Sequence, residues 1–312
     1  MKNLRKYLTT LRSLLFLAFL GILSTKINSQ QTQTLITSNP YPLATVPDTE
    51  VRTLFSNILN QEMNIYIKLP MFYRLNSDKE YPCWYVTDAN RSFPMLANIG
   101  SVFEVPDPSQ GEIIIIGIGY KIRDVADWAA YRTRDLTPIN DPGVDGYINK
   151  YLNQATGRQF DVKSGGASKL LEFIALELIP FVESNYRVLS TERYLGGYSY
   201  GGLFTLYAMF SKPNLFNKYF AGSPTIGFGN GFLFDLENKV ASSNEGIRAK
   251  LYMTAGGDED SITIANVKKM TTTLKSRNYN ELSVESYIFP EETHQSSMAA
   301  SLMRGFVFIK RK

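Results

Sequence analysis

The sequence predicts an α/β fold with a mostly parallel central sheet and helices on both faces. Short apolar runs alternate with helical patterns from residue 82 to the end of the chain. Such alternation is typical of parallel sheets, because a helix usually makes the crossover between two parallel strands. Residues 111–119 read GEIIIIGIG, a run without a polar face, as expected of a strand covered on both sides. Residues 61–69 alternate apolar with polar side chains, which predicts a half-buried strand.

The other predicted elements follow in chain order. Asp-Pro and Thr-Pro breaks and many glycines and asparagines lie in residues 121–165, which we interpret as an excursion over the sheet edge, not as a second domain. Strands are predicted at 82–87, 193–196, 218–221, 250–255 and 282–289. Helices are predicted at 168–186, 201–211, 261–277 and 296–310. Ser168 is the predicted cap of the first of these helices.

The amino terminus has the pattern of a secretory signal peptide. A cationic segment precedes ten apolar residues at 14–23, which is half the length that spans a bilayer. We predict residues 1–29 to be the signal peptide, with cleavage after Ser29; an uncleaved anchor is the alternative. Residues 30–48 then form a flexible lead-in, and 49–312 a single domain. The chain is expected to be exported, to the periplasm or the medium, with no stable membrane insertion after cleavage.

Charge and residue counts exclude several classes of function. The net charge is +4, but the first 29 residues carry +5 and no acidic group, so the remainder is near −1. No basic patch is expected, and therefore no nucleic-acid partner. The single histidine, His294, excludes a zinc site built on two or three histidines, and the single cysteine, Cys83, excludes an internal disulfide. We expect no metal and no organic cofactor.

The motif that carries chemistry is Gly-Tyr-Ser-Tyr-Gly-Gly at 197–202. It is a G-x-S-x-G pattern between a predicted strand and a predicted helix, the context in which a nucleophilic serine sits on a sharp turn. Glycines flank this serine because side chains there would collide. Ser199 is therefore the candidate nucleophile of an α/β-hydrolase fold; an ordinary serine in a glycine-rich loop is the alternative.

A serine nucleophile needs a base and a group that orients the base. In this fold the chain order is serine, acid, histidine. His294 follows the last predicted strand, where the base belongs. The acid is expected in the loop after strand 250–255, which offers Asp258, Glu259 and Asp260; we rank Asp260 first, Glu259 second and Asp258 third, although Asp260 is also placed to cap the next helix.

Two backbone N–H groups are expected to form an oxyanion hole. One belongs to Tyr200, the residue after the nucleophile, and the other to Ala89 or Asn90, in the loop after strand 82–87.

We also consider Arg134 as a contact for an anionic or catechol-bearing substrate. The alternative for Arg134 is a structural pair with Asp135 or with a loop carbonyl.

With these residues identified, the chain resembles the putative-esterase (esterase D–like) family of α/β hydrolases, and within it the branch of siderophore trilactone esterases. The resemblance covers most of residues 50–310. It rests on YPCWYVTDANRSF at 81–93, IIIIGIGY at 113–120, RTRDLTP at 132–138, GGASKLLEFIALELIPFVESNYRV at 165–188, GGYSYGGLFTLYAMFSKPNLF at 196–216 and AGSPTIGF at 221–228.

The resemblance implies a Ser–acid–His triad carried by Ser199, His294 and an acid at 258–260. Feruloyl-esterase-like relatives align Asp260 with the acid, whereas the siderophore branch aligns Glu259. The sequence departs from the family at Ala89, where relatives usually have glycine, and at Tyr198, where many have histidine. We expect Tyr198 to matter mainly for packing.

The sequence thus predicts a secreted serine carboxylic-ester hydrolase that works through an acyl-enzyme. Its partner is a small-molecule or carbohydrate ester, such as a siderophore lactone or an acylated sugar. An acyltransferase of the same fold and a non-catalytic binding protein that retains the fold are the alternatives.

Overall fold

The computed structural model describes residues 45–104, 112–243, 246–277, 279 and 281–311. Asp48–Lys312 forms one compact unit. The predicted signal peptide at 1–29 and most of the predicted lead-in at 30–48 lie outside the described residues, so these two assignments stay predictions. Among the described residues, no helix is long and apolar enough to cross a membrane.

Eight strands form one sheet in the order β1-β2-β4-β3-β5-β6-β7-β8. The pairs β1–β2 and β2–β4 are antiparallel, and all other neighbours run parallel. The predicted class, a mostly parallel α/β-hydrolase sheet, is confirmed. The strands are β1 (Thr49–Ser56), β2 (Gln61–Lys68), β3 (Tyr81–Val86), β4 (Ile114–Tyr120), β5 (Val188–Tyr198), β6 (Lys218–Gly222), β7 (Ala249–Gly256) and β8 (Leu282–Phe289).

Helices connect the parallel strands and flank the sheet. Phe306 of the last helix stacks on Phe103 of the first, with ring centroids 5.0 Å apart, and contacts Trp84 of β3. The helices are α1 (Ala89–Glu104), α2 (Val125–Asp135), α3 (Pro142–Thr156), α4 (Ala167–Phe173), α5 (Ile179–Asn185), α6 (Tyr200–Ser211), α7 (Phe228–Ser243), α8 (Ser261–Ser276) and α9 (Ser297–Lys310).

The structure adds detail to one prediction about the connections and corrects another. The excursion at 121–165 contains two helices, α2 and α3, which begin after the capping residues Asp124 and Asp141. The helix predicted at 168–186 is divided, because a π-helical turn, Ile174–Leu178, lies between α4 and α5. Pro180 enters α5 in its first turn. A proline has no N–H to continue the α-helical bonding pattern, which explains why the turn widens just before it.

Strand β2 is joined to the end of α1 by a buried ion pair. Lys68 Nζ lies 3.3 Å from Glu104 Oε2, and the two side chains are 2% and 3% exposed. The ammonium also donates to the Leu69 carbonyl oxygen, and the Met71 N–H donates to Glu104. Both charges are therefore compensated inside the fold, which is the condition for burying them.

Replacing Glu104 by glutamine keeps the shape and the Met71 acceptor but leaves the Lys68 ammonium without a counter-charge. We expect Glu104→Gln to lower the free energy of unfolding by about 3–5 kcal/mol in urea titrations. Glu62→Gln is the matched control, because Glu62 pairs with Lys121 on the surface, at 46% and 57% exposure. That control should cost less than about 1 kcal/mol. Equal losses of unfolding free energy in the two variants would show that burial of the Lys68–Glu104 pair does not increase its effect on stability.

Candidate active site

Ser199 lies on the turn between β5 and α6. Its φ and ψ are 61° and −117°, a strained conformation for a residue with a side chain. Its N–H donates to the Gly222 carbonyl oxygen of β6 at 2.8 Å, and its own carbonyl oxygen accepts the Leu203 N–H at 2.9 Å. The backbone on both sides of Ser199 is thus bonded, which holds the serine in this strained turn.

The glycines of the motif are required by the close approach of Thr87 at the end of β3. A Cβ added at Gly197 or at Gly201 would lie 2.4 Å from Thr87 Oγ1. A Cβ at Gly197 would also lie 2.5 Å from the Gly201 carbonyl oxygen. These distances explain why residues two before and two after Ser199 have no side chain.

His294 and Glu259 form a pair near the ends of β8 and β7. His294 Nδ1 lies 2.8 Å from Glu259 Oε2, and the two side chains are 14% and 1% exposed. A carboxylate at Nδ1 favours, in the neutral imidazole, the tautomer whose proton is on Nδ1 and whose Nε2 has a free lone pair. An imidazole held in this way can accept a proton from a serine hydroxyl.

Of the three candidate acids, Glu259 is the one that the structure places against His294. Asp260, which we placed first, caps α8: its carboxylate accepts the N–H groups of Ile262 and Thr263 at 3.1 and 3.0 Å and the Thr263 hydroxyl at 2.7 Å. Asp258, ranked third, is exposed. Glu259, ranked second, is the carboxylate that reaches His294.

Ser223, which sequence reasoning missed, completes this cluster. Its hydroxyl donates to Glu259 Oε2 at 2.5 Å and lies 2.9 Å from His294 Nδ1. Ser223 has a φ of 38° and its N–H donates to the Thr254 carbonyl oxygen, so the turn after β6 aims its side chain at the pair. The motif AGSPTIGF contains it, but no spacing rule marked it as part of a site.

Several donors keep Glu259 ionised. Burial alone would raise its pKa, but the hydrogen bond and charge of His294, the Ser223 hydroxyl and the Gly256 N–H together hold the pKa below its ordinary value. The Gly256 N–H donates to Oε1 at 2.7 Å, while Oε2 accepts from the two side chains. The Glu259 carboxylate therefore provides a negative charge beside His294 Nδ1 at neutral pH.

Tyr198, which we expected to serve packing, also holds the loop of His294. Its hydroxyl donates to the His294 carbonyl oxygen at 2.6 Å and lies 2.8 Å from the Ser297 hydroxyl. Its ring centroid is 5.1 Å from that of His294. The residue before Ser199 therefore connects the turn of Ser199 directly to the loop that carries His294.

The predicted oxyanion donors begin two helices. Tyr200 is the first residue of α6, and Ala89 and Asn90 are the first two of α1. The first N–H groups of a helix have no acceptor within it and favour negative charge nearby. The Asn90 side chain exchanges two hydrogen bonds with the backbone of Tyr120, at 2.8 and 2.9 Å, which ties the start of α1 to the end of β4.

Arg134 forms the structural pair with Asp135 that was the alternative to a substrate contact. Its guanidinium binds both oxygens of Asp135 at 2.7 Å and Gln61 Oε1 at 2.8 Å. The arginine beside the predicted oxyanion donors is Arg132, two residues earlier in the same motif, which pairs with Asp88. The structure therefore gives no support to Arg134 as a substrate contact.

The described ranges contain no group of three or more histidine, cysteine, aspartate or glutamate side chains arranged to hold a metal ion. The chemistry available at this site is that of a serine hydroxyl, an imidazole, a buried carboxylate and backbone N–H groups.

Comparison with known proteins points to esterases. The ferri-bacillibactin esterase BesA of Bacillus subtilis is 31% identical over 199 residues, 63% of this chain and 64% of that protein. The siderophore enterobactin esterase of Emericella nidulans is 36% identical over 156 residues, 49% of each chain. The alignments thus span less than two thirds and about half of these relatives.

The fold has close structural neighbours. The crystal structure of the BES protein from Bacillus cereus superposes with a TM-score of 0.73 and 25% sequence identity, covering 87% of this chain and 99% of that one.

The family model described as Putative esterase matches residues 56–295, which include Ser199, Glu259 and His294. The chain belongs to the Putative esterase family.

Proposed function

We propose that the chain is a serine hydrolase of carboxylic esters whose substrates are siderophore esters. The observation that carries the proposal is the buried Glu259–His294 pair, together with Ser199 on its strained turn. The substrate class is supported by the relatives, whose names give bacillibactin and enterobactin.

The proposed reaction passes through an acyl-enzyme. Ser199 Oγ attacks the ester carbonyl carbon while its proton moves to His294 Nε2, and the N–H groups of Tyr200 and of Ala89 or Asn90 stabilise the oxyanion. The intermediate collapses as His294 returns the proton to the leaving alcohol. Water then attacks the acyl-enzyme by the same route, with His294 first as base and then as acid.

Glu259 has two tasks in this scheme. It holds the imidazole in the tautomer whose Nε2 accepts the serine proton, and its charge stabilises the imidazolium that forms. Ser223 and Gly256 fix the two oxygens of Glu259 from other directions. The acid is therefore oriented before substrate binds, so little reorganisation is needed during the reaction.

Removing the nucleophile or the base should abolish turnover. We expect Ser199→Ala and His294→Ala to lower kcat for p-nitrophenyl butyrate by roughly 10⁴-fold or more relative to the unaltered chain. A fluorophosphonate probe should label the unaltered chain at Ser199 and leave Ser199→Ala unlabelled. Hydrolysis that survives both substitutions would show that other residues carry the reaction.

The substrate class is tested separately by mass spectrometry. Incubation with enterobactin should give products that have gained the mass of one water for each ester bond cleaved, while an acetylated sugar should remain intact. Ser199→Ala is the control for spontaneous hydrolysis. Cleavage of the sugar ester but not of enterobactin would retain the serine mechanism and overturn the siderophore assignment.

The identity of the acid is tested by a matched pair of variants. Glu259→Gln should lower kcat by roughly 10³–10⁴-fold, because an amide favours the wrong imidazole tautomer. Asp260→Ala should leave kcat within about threefold and lower the unfolding free energy by about 1 kcal/mol through loss of the α8 cap. Kinetics and urea titration of both variants decide the matter; a loss of turnover confined to Asp260→Ala would reverse the assignment.

A further inference from the structure

In the part of the chain that the structure describes, the aspartates immediately before helices serve as N-caps, with one exception. The carboxylates of Asp124, Asp141 and Asp260 each accept two backbone N–H groups from the first turns of α2, α3 and α8. This is the usual role of aspartate immediately before a helix. Asp88 immediately precedes α1, but its carboxylate is used differently.

The carboxylate of Asp88 is held by Arg132. The Arg132 Nε atom lies 3.1 and 3.2 Å from the two carboxylate oxygens, and Nη2 lies 2.9 Å from Oδ2. The Arg132 and Asp88 side chains are 15% and 8% exposed. Asp88 has a φ of 58°, the left-handed region in which aspartate is tolerated. A fork of this kind in a largely desolvated place is a strong interaction.

Arg132 also contacts the residue that provides the other predicted oxyanion donor. Its guanidinium carbon lies 4.9 Å from the ring centroid of Tyr200 and 4.9 Å from that of Trp128. Cation–π contacts at these distances are attractive. One side chain therefore touches the residue before α1 and the first residue of α6, the two helix starts that contain the predicted oxyanion donors.

A carboxylate at the start of α1 would compete with the reaction. The Arg91 N–H already donates to the Asp88 carbonyl oxygen at 3.0 Å. The Asp88 carboxylate in the capping position would accept the N–H of Asn90 and bring a negative charge to the place where the oxyanion forms. The oxyanion hole depends on donors that are unoccupied and correctly aimed before the intermediate appears. Holding the Asp88 carboxylate elsewhere keeps those donors available.

We propose that Arg132 is a positioning residue for the ester reaction. It keeps the Asp88 carboxylate away from the start of α1, leaves the Ala89 and Asn90 N–H groups free for the oxyanion, and packs against the Tyr200 ring. The inference rests on the proposed function for its catalytic consequence. The alternative is that Arg132 matters only because it neutralises a buried charge.

Three variants distinguish two explanations for the effect of losing Arg132. In the first, the side chain at position 88 accepts an N–H at the start of α1; in the second, the Asp88 charge is left without a partner. Arg132→Met removes the fork and keeps an apolar stem beside Trp128 and Tyr200. Adding Asp88→Gly removes the carboxylate with a residue that accepts a φ of 58° and has no capping side chain. Adding Asp88→Asn also removes the charge and accepts this φ, but asparagine is itself a strong N-cap.

We expect Arg132→Met to lower kcat for p-nitrophenyl butyrate by roughly 10²–10³-fold, the effect of losing one oxyanion donor, with KM changed less than about threefold. The double variant with Asp88→Gly should have a kcat at least about tenfold higher than that of Arg132→Met alone. The double variant with Asp88→Asn should show no such increase. The affinity for a trifluoromethyl ketone, which forms an oxyanion on the serine, should follow kcat. Arg134→Met is the control, because Arg134 has a similar fork to Asp135; it should keep kcat.

Equal recovery in the two double variants would overturn the proposal, because both remove the charge and only one removes the cap. Unchanged kcat in Arg132→Met would overturn it as well. If Arg132→Met alone does not fold, the comparison of the two charge-neutral double variants still decides.

Failure of the proposed function would look different. The unaltered chain would then neither hydrolyse esters nor react with the fluorophosphonate probe. In that case a crystal structure of Arg132→Met, or of its combination with Asp88→Asn if it does not fold alone, tests the positioning claim without activity. A side chain at position 88 that accepts an α1 N–H supports the claim, and one that turns to solvent overturns it.

Discussion

The close approach of β3 to the turn between β5 and α6 is the constraint on which the site depends. Thr87 Oγ1 occupies the space that side chains at Gly197 and Gly201 would need. The backbone can therefore turn sharply at Ser199, and the N–H of Ser199 reaches the Gly222 carbonyl oxygen of the next strand. Strain at Ser199 persists because neighbouring strands determine the position of both ends of the turn.

The same sheet edge assembles the other groups. In parallel strands the carboxyl ends lie side by side, so the turns after β3, β5, β6, β7 and β8 meet at one edge. Each contributes one part: the start of α1, Ser199, Ser223, Glu259 and His294. In the proposed reaction, these residues, which are far apart in the sequence, act together on one ester carbonyl.

Much of the fold could be predicted because its signals are local. The central strands and the helices α6, α8 and α9 have apolar patterns that burial requires. Strand β1 was missed because it is an edge strand, with Val51 and Phe55 exposed, so its pattern does not alternate cleanly. Helix α7 was missed because Gly229, Asn230 and Gly231 adopt left-handed conformations near its start.

The candidate site could be predicted only where chain order and local pattern both apply. Ser199 and His294 meet that condition, because the motif and the position after the last strand identify them. Arg132 and Arg134 lie two residues apart in one motif, and which of them faces Asp88 depends on how α2 is rotated against the sheet. A role that depends on tertiary rotation leaves no trace in residue spacing.

The choice between Glu259 and Asp260 follows from competition for a helix start. An aspartate immediately before a helix gains about 1 kcal/mol by capping it, and Asp260 is so placed. The residue one position earlier lies outside the cap, and the extra methylene of glutamate lets its carboxylate reach from the turn after β7 to His294. The two acids are therefore not interchangeable: the shorter one caps α8, and the longer one reaches the imidazole.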